Sequence, residues 1–211
     1  MARRGRFIVL EGGEGSGKST QAEILGLALD ATVTREPGGT PLGEALRPFV
    51  LERAVGPLDD RAELLLMVAA RAQHCAEVIV PAINAGRDVV CDRFSGSTIA
   101  YQGFGRGLPV AEVDAACTLA TAGLEADLTV LIDVPVEIAM SRRSRPLDAI
   151  ESAGHQFHER VRQGFRTLAA ERSTWVVVDG CGSIDEVAER VGAVVEARLG
   201  AVPGRLGPHG D

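Results

Sequence analysis

The chain has 211 residues, of which 45% are hydrophobic and 24% charged, and its formal net charge is −7. This length predicts a single domain over residues 1–211 with a full core, and the acidic balance argues against a general nucleic-acid-binding protein. The chain contains no apolar run close to the roughly 20 residues that cross a bilayer and no secretory signal, so we expect no membrane partner and a cytoplasmic location.

The first predicted strand, residues 7–10, leads into a glycine-rich loop and then a helical pattern. Residues 12–20 read G-G-E-G-S-G-K-S-T and fit the phosphate-binding template G-x-x-x-x-G-K-[ST]. Lys18 is the only lysine among the 22 basic side chains, which indicates that this position requires a compact ammonium. We expect Lys18 to reach nucleotide phosphates and the Ser19 hydroxyl to bind Mg²⁺. The predicted loop residues are Gly12, Gly13, Glu14, Gly15, Ser16, Gly17, Lys18, Ser19 and Thr20.

Further short β-branched runs predict strands buried on both faces at residues 88–91, 128–132 and 175–178, with a weaker strand at 31–34. Apolar residues at helical spacing predict helices within residues 21–29, 157–168 and 184–195. Alternating strands and helices predict a three-layer α/β fold with right-handed crossovers, in which helices flank a five-stranded parallel sheet.

The longest predicted helix covers residues 60–85, with an interruption at Pro81. Its first part is apolar nearly all round, which is typical of a helix in the core or at a subunit interface. We expect both environments at different points along it.

Other segments lack this regular pattern. Residues 142–154 combine a proline, a glycine and dense charge, which predicts a short arginine-rich lid. The glycine- and proline-rich residues 200–211 predict a frayed tail. The cysteines are widely spaced, so we expect core thiols and neither a zinc site nor a disulfide framework. These cysteines are Cys75, Cys91, Cys117 and Cys181.

An aspartate directly follows each of two predicted strands: Asp92 follows residues 88–91, and Asp133 follows residues 128–132. Ligands of open α/β sheets bind at the carboxyl ends of the strands. Asp92 precedes Arg93, and this pair offers a carboxylate for Mg²⁺ or its bound water and a guanidinium for a phosphate. The role of Asp133 stays open, since a strand-end or helix-capping aspartate before Pro135 explains it equally well.

Four motifs together resemble bacterial thymidylate kinases, which have the P-loop NTPase fold. The motifs are R-F-I-V-L-E-G-G-E-G-S-G-K-S-T-Q-A near the start, T-R-E-P-G-G-T from Thr34, D-R-F-S-G-S-T-I-A-Y-Q-G from Asp92 and F-H-E-R-V-R-Q-G-F from Phe157. They occur in matching order and spacing over residues 7–199. The resemblance implies transfer of the γ-phosphoryl group of ATP to the 5′-phosphate of dTMP, with Mg²⁺ as a cofactor, by a homodimer.

The resemblance also implies a set of residues around dTMP. Arg93 is expected to bind the acceptor phosphate, Glu14 the sugar 3′-hydroxyl and Arg71 the pyrimidine. Tyr101 is expected beneath the deoxyribose, and Gln102 at the base edge with Thr98. The expected substrate-binding residues are Glu14, Arg35, Pro37, Met67, Arg71, Arg93, Ser97, Thr98, Tyr101 and Gln102.

The phosphate loop carries no basic residue between its first glycine and Gly17. In family members of this kind the lid supplies the catalytic arginine, so the resemblance implies that role for Arg143 or Arg145, with Arg142 near the nucleotide. The expected catalytic residues are Lys18, Asp92, Arg93, Arg143 and Arg145, and the expected Mg²⁺ ligands are Ser19 and Asp92.

Two departures from the family pattern leave the acceptor open. Met67 occupies the position of a phenylalanine that stacks on thymine, and Ala149 replaces a lid arginine. The alternatives are a monophosphate kinase for dUMP, dGMP or a modified pyrimidine nucleotide, and a nucleotide-binding module without catalysis. A switch GTPase is excluded because its N-K-x-D motif needs a lysine besides Lys18.

Overall fold

The computed structural model describes residues 3–52, 54–142 and 154–200. Its strands are β1 (Phe7–Glu11), β2 (Thr32–Arg35), β3 (Val89–Asp92), β4 (Leu128–Asp133) and β5 (Trp175–Asp179). They form one parallel sheet in the order β2-β3-β1-β4-β5. The predicted five-stranded parallel sheet is confirmed, and each strand lies within one residue of its predicted bounds.

Helices connect the strands. They are α1 (Lys18–Leu29), α2 (Pro41–Leu51), α3 (Asp60–His74), α4 (Val80–Asn84), α5 (Ser95–Thr98), α6 (Val110–Thr121), α7 (Val136–Ser141), α8 (His155–Glu171) and α9 (Ile184–Leu199). A π-helical turn, Cys75–Ile79, joins α3 to α4, and a second π-helical segment, Ile99–Gly105, continues α5.

The sheet is the middle of three layers, as the alternation of elements predicted. On one face Ile8 and Leu10 of β1 pack in a cluster with residues of α1 and α9. On the other face Phe7 and Val9 pack with Ile79 of the π-helical turn between α3 and α4. Successive residues of a strand point to opposite faces, so β1 needs apolar side chains at every position.

The edge strands correct one sequence prediction. Burial on both faces holds for β1 and β3, whereas Val33 of β2 is 44% exposed and Val177 of β5 is 50% exposed. One face of each edge strand is open because no helix covers it fully there. Of the expected core thiols, Cys181 is only partly buried, while the other three are buried.

The long helix (Asp60–Asn84) continues past Pro81 without a break, but its α-helical hydrogen bonding changes to a π-helical turn at Cys75–Ile79 just before the proline, so the expected interruption is a change of helix type. Pro81 has no N–H to donate, and the helix adapts to this missing hydrogen bond through the π-helical turn immediately before α4. Among the described residues this helix has 25 residues and contains an 18-residue stretch of mean hydropathy 1.3, so it is long and apolar enough to cross a membrane by length and composition. It carries buried Arg71 and His74, and 39% of its most apolar window is buried within the domain.

The outer side of the long helix is open. Leu65 is 62% exposed, although Leu64 and Met67 on the same helix are buried in the core. The helix is therefore less enclosed than a sequence that is apolar nearly all round would suggest. The lid and tail predictions fall largely outside the described residues, since only residues 142, 154 and 200 of those segments belong to them.

Candidate active site

The carboxyl ends of the strands bring charged residues to one edge of the sheet. In the register between β2 and β3, Arg35 lies beside Asp92, and Leu10 of β1 lies on the other side of Asp92. The loop after β1 therefore starts next to the end of β3. The charged terminal residues of the five strands are Glu11, Arg35, Asp92, Asp133 and Asp179.

The phosphate loop ends at α1, whose first residue is Lys18. Gly17 precedes it with φ 88°, a left-handed conformation that favours glycine, and no side chain caps the helix. The Lys18 side chain is buried, and its Nζ donates to the carbonyl of Gly13 at 3.1 Å. Burial and the neighbouring Arg93 lower the pKa of Lys18. An anion at this helix end would meet open N–H groups and a desolvated ammonium.

Ser19 and Asp92 meet beside this loop. The Ser19 hydroxyl donates to Asp92 Oδ2. The second carboxylate oxygen, Asp92 Oδ1, is buried and has no hydrogen-bond partner among the described residues. A carboxylate and a hydroxyl are hard oxygen donors of the kind Mg²⁺ prefers, so this pair fits a magnesium ion.

Arg93 is held in a left-handed conformation, with φ 72°. Such a conformation costs a non-glycine residue about 1–3 kcal/mol and is concentrated at functional sites. Its guanidinium donates to the Gly12 carbonyl at 3.1 Å and to Ser97 Oγ at 2.9 Å, and it pairs with Glu14. The strained backbone therefore directs this cation back over the phosphate loop.

Tyr101 joins Glu14 and Arg93. Its hydroxyl lies 3.2 Å from Glu14 Oε1 and 3.3 Å from Arg93 Nη2, and the Arg93 guanidinium lies 5.1 Å from the centre of the ring. Burial raises the pKa of Tyr101, so the phenol is neutral and donates to Glu14.

These side chains line one cleft, which encloses about 720 Å³ of empty space including the part open to solvent. Eleven of the fourteen lining residues are among the predicted site residues. They are Glu14, Lys18, Ser19, Arg35, Pro37, Met67, Asp92, Arg93, Ser97, Tyr101 and Gln102. The structure thus brings the predicted phosphate-binding and substrate-binding residues together, while their individual roles stay predictions.

Three lining residues, Glu36, Arg47 and Leu51, were not predicted. Arg47 on α2 donates to the carbonyl of Pro37 at 2.7 Å, and burial and the neighbouring Arg35 lower the pKa of Arg47. A signal for α2 is present in the sequence. Thr40 caps the helix by accepting from the Gly43 N–H at 3.0 Å, and a proline follows it at the first helical position.

Arg71 and Thr98 lie behind the described lining of the cleft. Arg71 is 1% exposed; its Nε donates to Glu36 Oε2 at 2.7 Å and its Nη2 to Thr98 Oγ1 at 2.9 Å. The other oxygen of Glu36 lies 2.9 Å from His74 Nδ1. The sequence did not predict the role of Glu36, because it lies 35 residues before Arg71. It did not predict His74 because no motif includes that residue.

The lid region contributes little that can be described. Arg142 donates to the carbonyl of Gly180 at 3.0 Å and does not line the described cleft. Asp133, whose role was open, pairs with Arg162 of α8 at 2.8 and 3.0 Å. Arg143 and Arg145 lie outside the described residues.

Comparisons with known proteins agree with this geometry. The family model described as "Thymidylate kinase" matches residues 10–191. The thymidylate kinase of Citrifermentans bemidjiense is 44% identical, with 92% of this chain and 93% of the relative covered, and that of Solidesulfovibrio magneticus is 48% identical, with 90% and 98% covered. The crystal structure of thymidylate kinase from Ehrlichia chaffeensis superposes with a TM-score of 0.75 at 32% identity, covering 91% of this chain and 99% of that one. The chain belongs to the thymidylate kinase family.

Proposed function

We propose that the cleft between the phosphate loop and the end of β3 performs the reaction of this family. The enzyme transfers the γ-phosphoryl group of ATP to the 5′-phosphate of dTMP and releases ADP and dTDP. The observation that carries this proposal is the placement of Lys18 and Arg93 in one cleft, on elements that follow different strands.

The chemistry of the acceptor explains the composition of the cleft. A phosphate oxygen of dTMP is already anionic, so the transfer needs alignment and compensation of charge more than a strong base. The described lining of the cleft contains no histidine but carries Lys18, Arg35, Arg47 and Arg93. These cations offset the repulsion between two polyanionic substrates.

We assign the ATP phosphates to the loop at the start of α1. Its backbone N–H groups and the dipole of the helix favour an anion. Burial and the nearby Arg93 lower the pKa of Lys18, and a bound polyphosphate would favour its charged form. The buried Ser16 hydroxyl, which has no partner among the described residues, is placed to donate in the same loop.

We assign the acceptor phosphate to Arg93. Arg93 is paired with Glu14, and Tyr101 contacts both. An incoming phosphate competes with Glu14 for the guanidinium, and the Glu14 carboxylate can then accept from the sugar 3′-hydroxyl. This exchange would leave Arg93 paired with an anion and Glu14 with a hydrogen-bond donor.

Magnesium fits beside these residues. Ser19 Oγ and Asp92 Oδ1 are the groups that would hold it, directly or through bound water. When bound, the ion would neutralise charge on the transferred phosphoryl group and its neighbours. Arg143 or Arg145 remains our proposed lid arginine, and Arg142 our proposed contact to the nucleotide.

We further propose a homodimer that works in the cytoplasm. The exposed Leu65 on the long helix would be covered by a second copy that packs along this helix. Free thiols at all four cysteines suit a reducing compartment.

A panel of acceptors tests the proposed function. We expect dTMP to give the highest kcat/KM among dTMP, dUMP, dCMP and dGMP when ADP release is followed in a coupled assay. Lys18→Ala should lower kcat by about two orders of magnitude or more with every acceptor, because it removes a charge aimed at the transferred group. A better acceptor than dTMP, or full turnover by the alanine variant, contradicts the proposal.

A further inference from the structure

Gln102 has an amide whose two ends lie in different environments. Its Nε2 donates to Glu63 Oε1 at 2.9 Å, whereas its Oε1 is buried and has no hydrogen-bond partner among the described residues. The residue is 1% exposed and still contributes to the lining of the cleft beside Met67. A buried acceptor without a partner costs roughly 1–3 kcal/mol, so a ligand that supplies a donor recovers that cost.

Glu63 determines which end of the amide turns away from it. A carboxylate only accepts hydrogen bonds, so the NH₂ end of Gln102 must face Glu63. Glu63 is itself buried and held by Arg106, whose Nη2 donates to Oε2 at 3.0 Å and whose Nε donates to Oε1 at 3.2 Å.

Arg106 is anchored in turn. Its guanidinium lies 5.1 Å from the centre of the Phe157 ring, and Asp60 lies 3.5 Å from its Nε. Both Glu63 oxygens accept from the Arg106 guanidinium, so the carboxylate faces Gln102 as an acceptor. The contacts from Arg106 to Glu63 and from Glu63 to Gln102 thus fix the orientation of the Gln102 amide.

We propose that Glu63 and Arg106 are positioning residues for base selectivity. They hold Gln102 so that Oε1 is reserved as an acceptor for a ring N–H of the substrate base. The N3–H of thymine or uracil is such a donor, whereas N3 of cytosine is an acceptor and would face Oε1 unfavourably. This inference rests on the proposed function, since it assumes that a pyrimidine nucleotide occupies the cleft.

Glu63→Gln tests the orientation with little change of shape. A second amide can donate or accept, so the Gln102 amide becomes free to turn its NH₂ group toward the base. We expect the ratio of kcat/KM for dCMP to that for dTMP to rise about tenfold, the usual worth of one matched buried hydrogen bond. The change should lie in KM, with kcat for dTMP within about threefold of wild type, because the base is remote from the transferred group.

Asp60→Asn is the matched control. Asp60 lies on the same helix as Glu63, and its carboxylate also contacts Arg106 but is not hydrogen-bonded to Gln102. We expect the substitution to leave the selectivity ratio unchanged. The inference is overturned if Glu63→Gln leaves the ratio of kcat/KM for dCMP to that for dTMP unchanged, including the case in which both values fall equally.

A substrate analogue tests the wild-type enzyme directly, whatever the folding of the variants. Thymidine 5′-monophosphate methylated at N3 lacks the donor, and we expect its KM to exceed that of dTMP by about tenfold or more. An equal KM overturns the inference while dTMP remains the best acceptor. A wild-type enzyme that prefers a different acceptor overturns the proposed function and this inference with it.

Discussion

Glu36→Gln tests how much the buried ion pair between Glu36 and Arg71 stabilises the fold, separately from the reaction. Glu36 is 5% exposed and is the only carboxylate hydrogen-bonded to Arg71 among the described residues. Glutamine keeps the shape, and its carbonyl can still accept from Arg71. His74 can adapt by changing tautomer, because its Nε2 lies 2.7 Å from the Thr34 hydroxyl, which can donate or accept. The main loss is therefore the charge that neutralises Arg71.

The expected cost follows from the burial of Arg71. With 1% of the residue exposed, water cannot replace the lost carboxylate, and Phe94 and Thr98 offer only neutral oxygens. Removing one partner of a buried ion pair destabilises by about 3–5 kcal/mol. For a chain of this length that corresponds to a decrease in Tm of roughly 6–20 °C.

Glu44→Gln is the matched control for urea unfolding followed by circular dichroism. Glu44 pairs with Arg35 through contacts of 3.0 and 3.1 Å, but both side chains are about half exposed. Such exposed pairs contribute about 0–1 kcal/mol. We expect Glu36→Gln to lower the unfolding free energy far more than Glu44→Gln at similar m-values. Equal effects would refute the assignment of Glu36 as the counterion of a buried charge.

Three further measurements test the site. Asp92→Asn should retain the contact with Ser19 but raise the half-saturating Mg²⁺ concentration about tenfold, because the ion loses a charged ligand. An unchanged Mg²⁺ titration would contradict the proposed metal site. Met67→Phe should lower the KM for dTMP about fivefold at constant kcat by adding ring stacking, and a KM that stays the same or rises would count against a base beside Met67. Burial raises the pKa of the Cys75 thiol to about 12, and Cys181 is the only one of the four cysteines that is not fully buried, so a thiol reagent should modify Cys181 before the other three in the folded protein. Several fast thiols would show that the buried cysteines are accessible.

Much of the fold follows from local pattern. Short β-branched runs predicted the five strands, and the glycine loop before α1 predicted a phosphate site, because strand formation and loop conformation depend on residues that are neighbours in the chain. The edge strands were predicted less well. Coverage of Val33 and Val177 depends on where helices pack, and periodicity alone does not contain that information.

Side-chain partners were harder to predict than elements. The partner of Asp133 is Arg162, 29 residues later, and the partner of Arg71 is Glu36, 35 residues earlier. From the sequence, Asp133 had no predicted partner, and Arg71 was expected only at the pyrimidine. The crossovers of the sheet decide these pairs, since they bring distant positions together.

The sequence by itself predicted the phosphate-binding loop, because Gly12, Gly17, Lys18 and Ser19 lie in one short motif whose backbone conformation is set locally. Only the tertiary structure decided how the rest of the cleft is built. It placed Arg47 in the cleft, put Arg71 behind it, and set the orientation of Gln102 through contacts made across helices. Hydrogen-bond direction in a buried site depends on which groups meet there, and that is a property of packing rather than of any one segment.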